Sequence, residues 1–90
     1  MNIIDYLYDL DEDAIVCDDK ILDSAIIGFL NNENGELIVV YDEDKCIDII
    51  HKEYKFSKEE AEEHFASCVL ANCIDERKPI FMKVIVDHIS

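Results

Sequence analysis

The segment AIIGFLNNENGELIVVY, residues 25–41, decides the fold. Two apolar runs, residues 25–30 and 37–41, flank a cluster rich in Asn and Gly. This arrangement predicts an antiparallel hairpin, because Asn34 and Gly35 tolerate the positive φ that a tight loop needs. Neither run alternates cleanly between apolar and polar residues, so we expect both faces to be covered at least in part. Gly28 inside the first strand predicts a bulge or a close contact with a helix.

Three helices are predicted outside the hairpin, each from apolar residues at helical spacing. The first covers residues 2–10, and residues 14–17 after it are too few to assign to helix or strand. Acidic residues 42–44 predict the start of the second helix, and a capping box of Ser57 and Glu60 predicts the start of the third. The predicted apolar faces are Ile3, Ile4, Leu7 and Leu10, then Cys46, Ile47, Ile50 and Tyr54, then Ala61, Phe65, Cys68, Val69 and Asn72.

The last predicted element is a strand over residues 80–86, introduced by Pro79. The order is therefore helix, hairpin, helix, helix, strand. Residues 1–90 are long enough for one modest core only. We predict a single α+β domain in which two to three helices pack on one face of a three-stranded antiparallel sheet.

Charge excludes several classes of function. The chain has 22 acidic residues against 8 Lys and Arg, a formal net charge of -14 and a pI near 4.2. Phosphates would repel such a protein, so we exclude direct binding to nucleic acid or to an anionic membrane. Apolar runs of about five residues are too short to span a bilayer, and the N-terminus does not resemble a signal peptide. We therefore expect a cytoplasmic protein.

The excess acidic charge lies in the first half of the sequence. Residues 1–44 contain 13 acidic residues and one basic residue, Lys20, whereas residues 45–90 contain 9 acidic and 7 basic residues. Such crowding is either a solvated face that maintains solubility or a surface that attracts a basic partner. We predict partner binding through an acidic set: Asp9, Asp11, Glu12, Asp13, Asp18, Asp19 and Asp23.

Calcium is a weaker interpretation of the same residues. The spacing of Asp9, Asp11 and Asp13 matches the beginning of an EF-hand loop. Ala14 stands where that loop needs glycine, and Lys20 stands where it needs glutamate. We therefore reject a true EF-hand and leave only weak binding of a divalent cation as an alternative.

No pattern indicates catalysis or a cofactor. The four cysteines, Cys17, Cys46, Cys68 and Cys73, form no Cys-x-x-Cys pair, so we expect reduced thiols in the core rather than zinc ligands. His64 and Cys68 lie one helical turn apart, and an enzyme or metal site that uses them with Cys73 is a minor alternative. With two glycines the chain has no phosphate-binding loop. We predict a protein that is not an enzyme and that has no metal or cofactor.

Four segments resemble a widespread family of small phage and prophage proteins: LDSAIIG at 22–28, VYDEDKCI at 40–47, SKEEAEEHF at 57–65 and KPIF at 78–81. The resemblance covers about two thirds of the chain. The chain departs from the family at residues 55–56, where a Gly-Met-like turn is usual, and at Cys68, near a position that is often Asn. The resemblance implies a phage or mobile-element origin and assigns no catalytic residue.

The resemblance and the acidic residues together predict an inhibitor of a host defence complex. Small acidic phage proteins often bind host proteins, and a negative surface that imitates nucleic acid can occupy a basic groove. We expect an anti-CRISPR-like protein in the host cytoplasm. The alternative is an accessory or structural phage domain that acts through protein-protein contact or dimerises through the uncovered face of the sheet. More apolar area than one side of the sheet needs is supplied by Ile26, Phe29, Ile38, Val40, Phe81 and Val84, so we expect the other face to be hidden by dimerisation.

Overall fold

The computed structural model describes residues 2–70 and 78–85. The elements are helix α1 (Ile3–Leu10), a 3₁₀ helix (Lys20–Ala25), strands β1 (Ile26–Asn31) and β2 (Leu37–Asp42), helices α2 (Glu43–Tyr54) and α3 (Lys58–His64), a π-helical segment (Phe65–Leu70) and strand β3 (Ile80–Met82). The three strands form one sheet in the order β1-β2-β3. The predicted α+β class is confirmed.

The hairpin forms where it is predicted. β1 and β2 pair antiparallel, with Asn31 opposite Leu37 and a bulge between Ile26 and Gly28. Gly35 has a φ of 77°, the left-handed conformation that favours glycine in the turn. The Asn32 side chain closes the loop, because its Oδ1 accepts the backbone N–H of Asn34 and of Glu36, each at 2.9 Å.

Local capping bonds begin the three α-helices at or next to the predicted positions. Asn2 Oδ1 accepts the N–H of Asp5 at the start of α1, and Asp42 Oδ1 accepts the N–H of Lys45 at the start of α2. Both bonds of the predicted capping box start α3: the Ser57 hydroxyl accepts the N–H of Glu60, and the Glu60 carboxylate accepts the N–H of Ser57. These bonds satisfy N–H groups that have no partner inside the helix.

The prediction that all strands are antiparallel is wrong for β3, which pairs with β2 in parallel. The chain from residue 43 to residue 79 contains α2 and α3, and a connection of this length allows a crossover back to the same end of the sheet. β3 is also shorter than the predicted strand. Asp42 is the last residue of β2 and pairs with Met82, so residues 83–85 lie beyond the end of β2. Residue 86 lies outside the described residues.

The core surrounds the central strand. Leu37, Val39 and Tyr41 of β2 are buried against the 3₁₀ helix, α2 and the segment that follows α3. Phe81 of β3 packs between two other rings, with centroid distances of 5.2 Å to Tyr41 and 5.1 Å to Phe65. Residues 14–17 form neither helix nor strand, although Ala14 and Cys17 belong to this core. Asn72 lies outside the described residues, as does the side chain of Cys68.

Most of the six apolar residues that are expected to exceed the need of one side of the sheet are covered within the fold. Ile26 belongs to the core, and Phe81 packs against the core residues. Ile38 and Val40, which point to the other side of β2, are also buried, and Val84 is half-buried beyond β3. Of the six predicted residues only Phe29 is well exposed. Exposed apolar side chains lie on the outer strands instead: Ile27, Phe29 and Leu30 on β1, and Ile80 and Met82 on β3.

Candidate partner-binding surface

Helix α1 presents a mixed acidic and apolar surface. Asp5 and Asp9 are exposed on its outer side. Its apolar side is less covered than the helical spacing predicts, because only Leu7 is fully buried. Tyr6 and Leu10, one helical turn apart, are each 49% exposed. Tyrosine is enriched at protein interfaces, but the helical spacing of the apolar residues of α1 gives no reason to single out Tyr6.

Asp11 has a structural role. Its Oδ1 accepts the N–H of Asp13 at 2.9 Å, and its Oδ2 accepts the N–H of Leu37 at 3.3 Å. The Leu37 bond ties the loop after α1 to the first residue of β2. Asp11 therefore satisfies a backbone group on the sheet and is a poor candidate for contact with a partner.

Asp19 is also used within the fold. Its Oδ1 accepts the N–H of Ile21 at 3.3 Å and caps the 3₁₀ helix, and its Oδ2 accepts the hydroxyl of Tyr54. Tyr54 is the last residue of α2, so Asp19 connects two elements far apart in sequence. The Tyr54 ring packs in turn against Phe56 and His64.

Asp18 and Asp23 meet at a pocket between α1 and the 3₁₀ helix. The pocket has a volume of about 340 Å³ and is lined by Ile4, Tyr8, Val16, Cys17, Asp18, Lys20 and Asp23. Asp23 is half-buried there, and burial raises the pKa of its carboxyl group while the Lys20 ammonium partly offsets that rise. Lys20, the one basic residue among residues 1–44, thus lies close to Asp23.

Three carboxylates of the acidic set remain: Asp9, Glu12 and Asp13. All three are exposed, and no hydrogen bond or ion pair within residues 2–70 and 78–85 involves their carboxylate oxygens. They lie at the end of α1 and in the loop that Asp11 holds in place. The structure thus divides the acidic set into Asp9, Glu12 and Asp13, which are open to solvent, Asp18 and Asp23 at the pocket, and Asp11 and Asp19, which bond within the fold.

Two cysteine thiols lie in the core, where burial lowers their reactivity. Cys17 and Cys46 are both buried, and burial raises the pKa of the Cys46 thiol to about 12. A thiol with such a pKa stays protonated and is a poor nucleophile at neutral pH. Among residues 2–70 and 78–85, no three His, Cys, Asp or Glu side chains are grouped to hold a metal ion. Cys73 and the side chain of Cys68 lie outside the described residues.

Comparisons of the chain with models of protein families, with curated proteins and with solved structures give no match. In the described parts of the chain, every helix is too short or too polar to cross a membrane.

Proposed function

We propose that this protein is a non-enzymatic inhibitor that binds a basic, nucleic-acid-binding groove on a host defence complex, as an anti-CRISPR protein does. The contact surface is the end of α1 and the loop after it, where Asp9, Glu12 and Asp13 imitate a run of phosphates. The proposal places the protein in the cytoplasm of the host cell. It also takes up the phage origin that the sequence resemblance implies.

One observation carries the proposal. Asp9, Glu12 and Asp13 are exposed and without a basic partner among the described residues, on a chain of net charge -14. Carboxylates held close together repel one another, and a positively charged partner relieves that repulsion. Tyr6 and Leu10 are exposed on the same helix. Burial of their apolar surface against a partner would add short-range binding energy to the long-range attraction between charges.

The experiment measures inhibition of purified RNA-guided nuclease complexes by the wild-type chain and two charge-reversal variants. The first variant replaces Asp9, Glu12 and Asp13 with Lys. The matched control replaces three exposed glutamates of α2 and α3 with Lys: Glu53, Glu62 and Glu63. Both variants therefore change the net charge by the same amount.

We expect the first variant to bind at least about tenfold more weakly, because it loses the local attraction and gains repulsion, whereas the control changes affinity much less. Added salt weakens wild-type binding, since it screens the same attraction. Equal effects of the two variants would show that net charge alone matters. The absence of inhibition across the complexes, or inhibition insensitive to salt and to both variants, contradicts the proposal.

A further inference from the structure

The pocket between α1 and the 3₁₀ helix has the size of a small binding site. Its volume of about 340 Å³ lies near the lower end of the range for ligand pockets, roughly 300–1,000 Å³. Ile4 and Tyr8, one helical turn apart on α1, line it from one side, and the loop after α1 contributes Val16 and Cys17. The pocket is therefore partly apolar and has room for one long side chain.

The charged part of the lining is negative overall. Asp18 and Asp23 contribute two carboxylates, and Lys20 contributes one ammonium group. Within residues 2–70 and 78–85, no hydrogen bond or ion pair involves the carboxylate oxygens of Asp18 or Asp23. The pocket thus offers carboxylate oxygens that can accept hydrogen bonds from a cation.

Asp23 holds the more buried of these carboxylates. It is half-buried, whereas Asp18 and Lys20 are exposed. Burial is the main cause of the raised pKa of the Tyr41 hydroxyl, and the charge of Asp23 adds to it, so this carboxylate lies near the core. A cation that bonds to Asp23 replaces hydration that the fold has removed.

A guanidinium group fits this lining better than an ammonium group does. It is planar and weakly hydrated, and it can donate to both oxygens of one carboxylate while the attached carbon stem contacts Ile4 and Val16. The ring of Tyr8 is 40% exposed and presents a π face to the same cation. An ammonium group is more strongly hydrated and has no planar face to stack on the ring.

We infer that this pocket binds the guanidinium group of an arginine side chain, with Asp23 as the main anionic contact. The source of that arginine rests on the proposed function: it belongs to the basic groove that Asp9, Glu12 and Asp13 contact. Tyr8 precedes Asp9 in α1, so a partner bound at those carboxylates also reaches the pocket. Arginine is common in such grooves because it binds phosphate with the same geometry as carboxylate.

The first test needs no partner protein. The ¹⁵N-labelled chain is titrated with N-acetyl-arginine methylamide, and the backbone amide resonances of Val16, Lys20 and Asp23 are followed. The citrulline analogue keeps the shape of arginine without the charge, and the lysine analogue keeps the charge without the planar group. We expect a dissociation constant on the order of 1 mM for the arginine compound, with the lysine compound about threefold weaker and the citrulline compound at least about tenfold weaker.

Two substitutions assign the binding to Asp23. Asp23→Asn keeps the shape of the side chain and removes its charge, and Glu62→Gln is the matched control at an exposed position of α3. Both should be as stable as wild type in urea unfolding, since neither side chain bonds to another described residue. Asp23→Asn should bind the arginine compound about tenfold more weakly and inhibit the defence complex about tenfold less, whereas Glu62→Gln changes either value by less than about twofold.

Several results overturn the inference: pocket resonances that do not move at about 20 mM arginine compound, equal binding of the lysine or citrulline compound, or equal effects of Asp23→Asn and Glu62→Gln. Inhibition that depends on Asp9, Glu12 and Asp13 but is unchanged by Asp23→Asn also refutes it, and leaves the proposed function intact. Selective binding of the arginine compound by a chain that inhibits no complex supports the pocket and contradicts the proposed function alone.

Discussion

Replacement of Tyr41 with Phe tests how the core holds the loop before the 3₁₀ helix. Tyr41 is fully buried in β2, and its hydroxyl oxygen accepts the backbone N–H of Cys17 at 2.9 Å. The bond joins residues 24 positions apart and lies within the core. Tyr41→Phe leaves the ring in place and removes the hydroxyl, with its hydrogen bonds to the backbone and to the side chain of Cys17.

The expected cost follows from the group that loses its partner. A buried N–H left without an acceptor costs about 1–3 kcal/mol, and removal of the buried hydroxyl itself offsets part of this. We expect a loss of about 1–2 kcal/mol in the free energy of unfolding. For a domain of this size that corresponds to a fall in Tm of about 4–16 °C.

The assay is urea and thermal unfolding of Tyr41→Phe beside Tyr6→Phe. The control makes the same chemical change at an exposed tyrosine and should alter stability by less than about 0.5 kcal/mol. The urea m-value should be unchanged, because the same surface is exposed on unfolding. The amide of Cys17 should also exchange faster in Tyr41→Phe. If Tyr41→Phe matched Tyr6→Phe in stability and in the exchange of Cys17, the reasoning would be refuted.

Three further predictions concern the turn, the acidic set and alkaline pH. Gly35→Ala should lower the free energy of unfolding by about 1 kcal/mol, because Gly35 has a φ of 77° that alanine adopts only with strain. Gly28→Ala places its methyl group in open space and should be neutral or stabilising. Urea unfolding measures both variants. Asp11→Ala should lower the free energy of unfolding by about 1–2 kcal/mol, because the Asp11 side chain loses its bonds to two backbone N–H groups. Asp13→Ala should lower it by less than about 0.5 kcal/mol, because the Asp13 carboxylate is exposed. Equal effects in thermal unfolding would contradict a structural role for Asp11 that Asp13 does not share. Burial raises the pKa of Tyr41 above its ordinary value and that of Cys46 from 9.0 to about 12, so the unfolded chain loses these protons at lower pH than the folded protein. Their contribution to stability is complete below about pH 9 and is lost as pH rises toward 12, so Tm should fall over this range. For Cys46→Ala the fall between about pH 9 and 10 should be shallower, because the thiol that titrates there is gone. A Tm that stays constant would contradict the raised pKa values of the two buried groups.

The candidate site was predictable in composition and only partly in arrangement. The sequence locates the seven carboxylates but does not distinguish one from another. Asp11 and Asp19 differ from the others because their partners, Leu37 and Tyr54, lie 26 and 35 residues away. No local pattern indicates such a bond, since it exists only after the sheet and α2 have packed.

The sequence by itself determined the features that depend on neighbours a few residues apart. The hairpin turn needs Gly35 and Asn32, and the start of α3 needs Ser57 and Glu60, so each is encoded where it forms. Tertiary structure alone decided the parallel direction of β3, the length of that strand and the exposure of Leu10. These depend on which surfaces meet when the crossover through α2 and α3 closes, because burial and strand pairing are properties of contacts between segments distant in the chain.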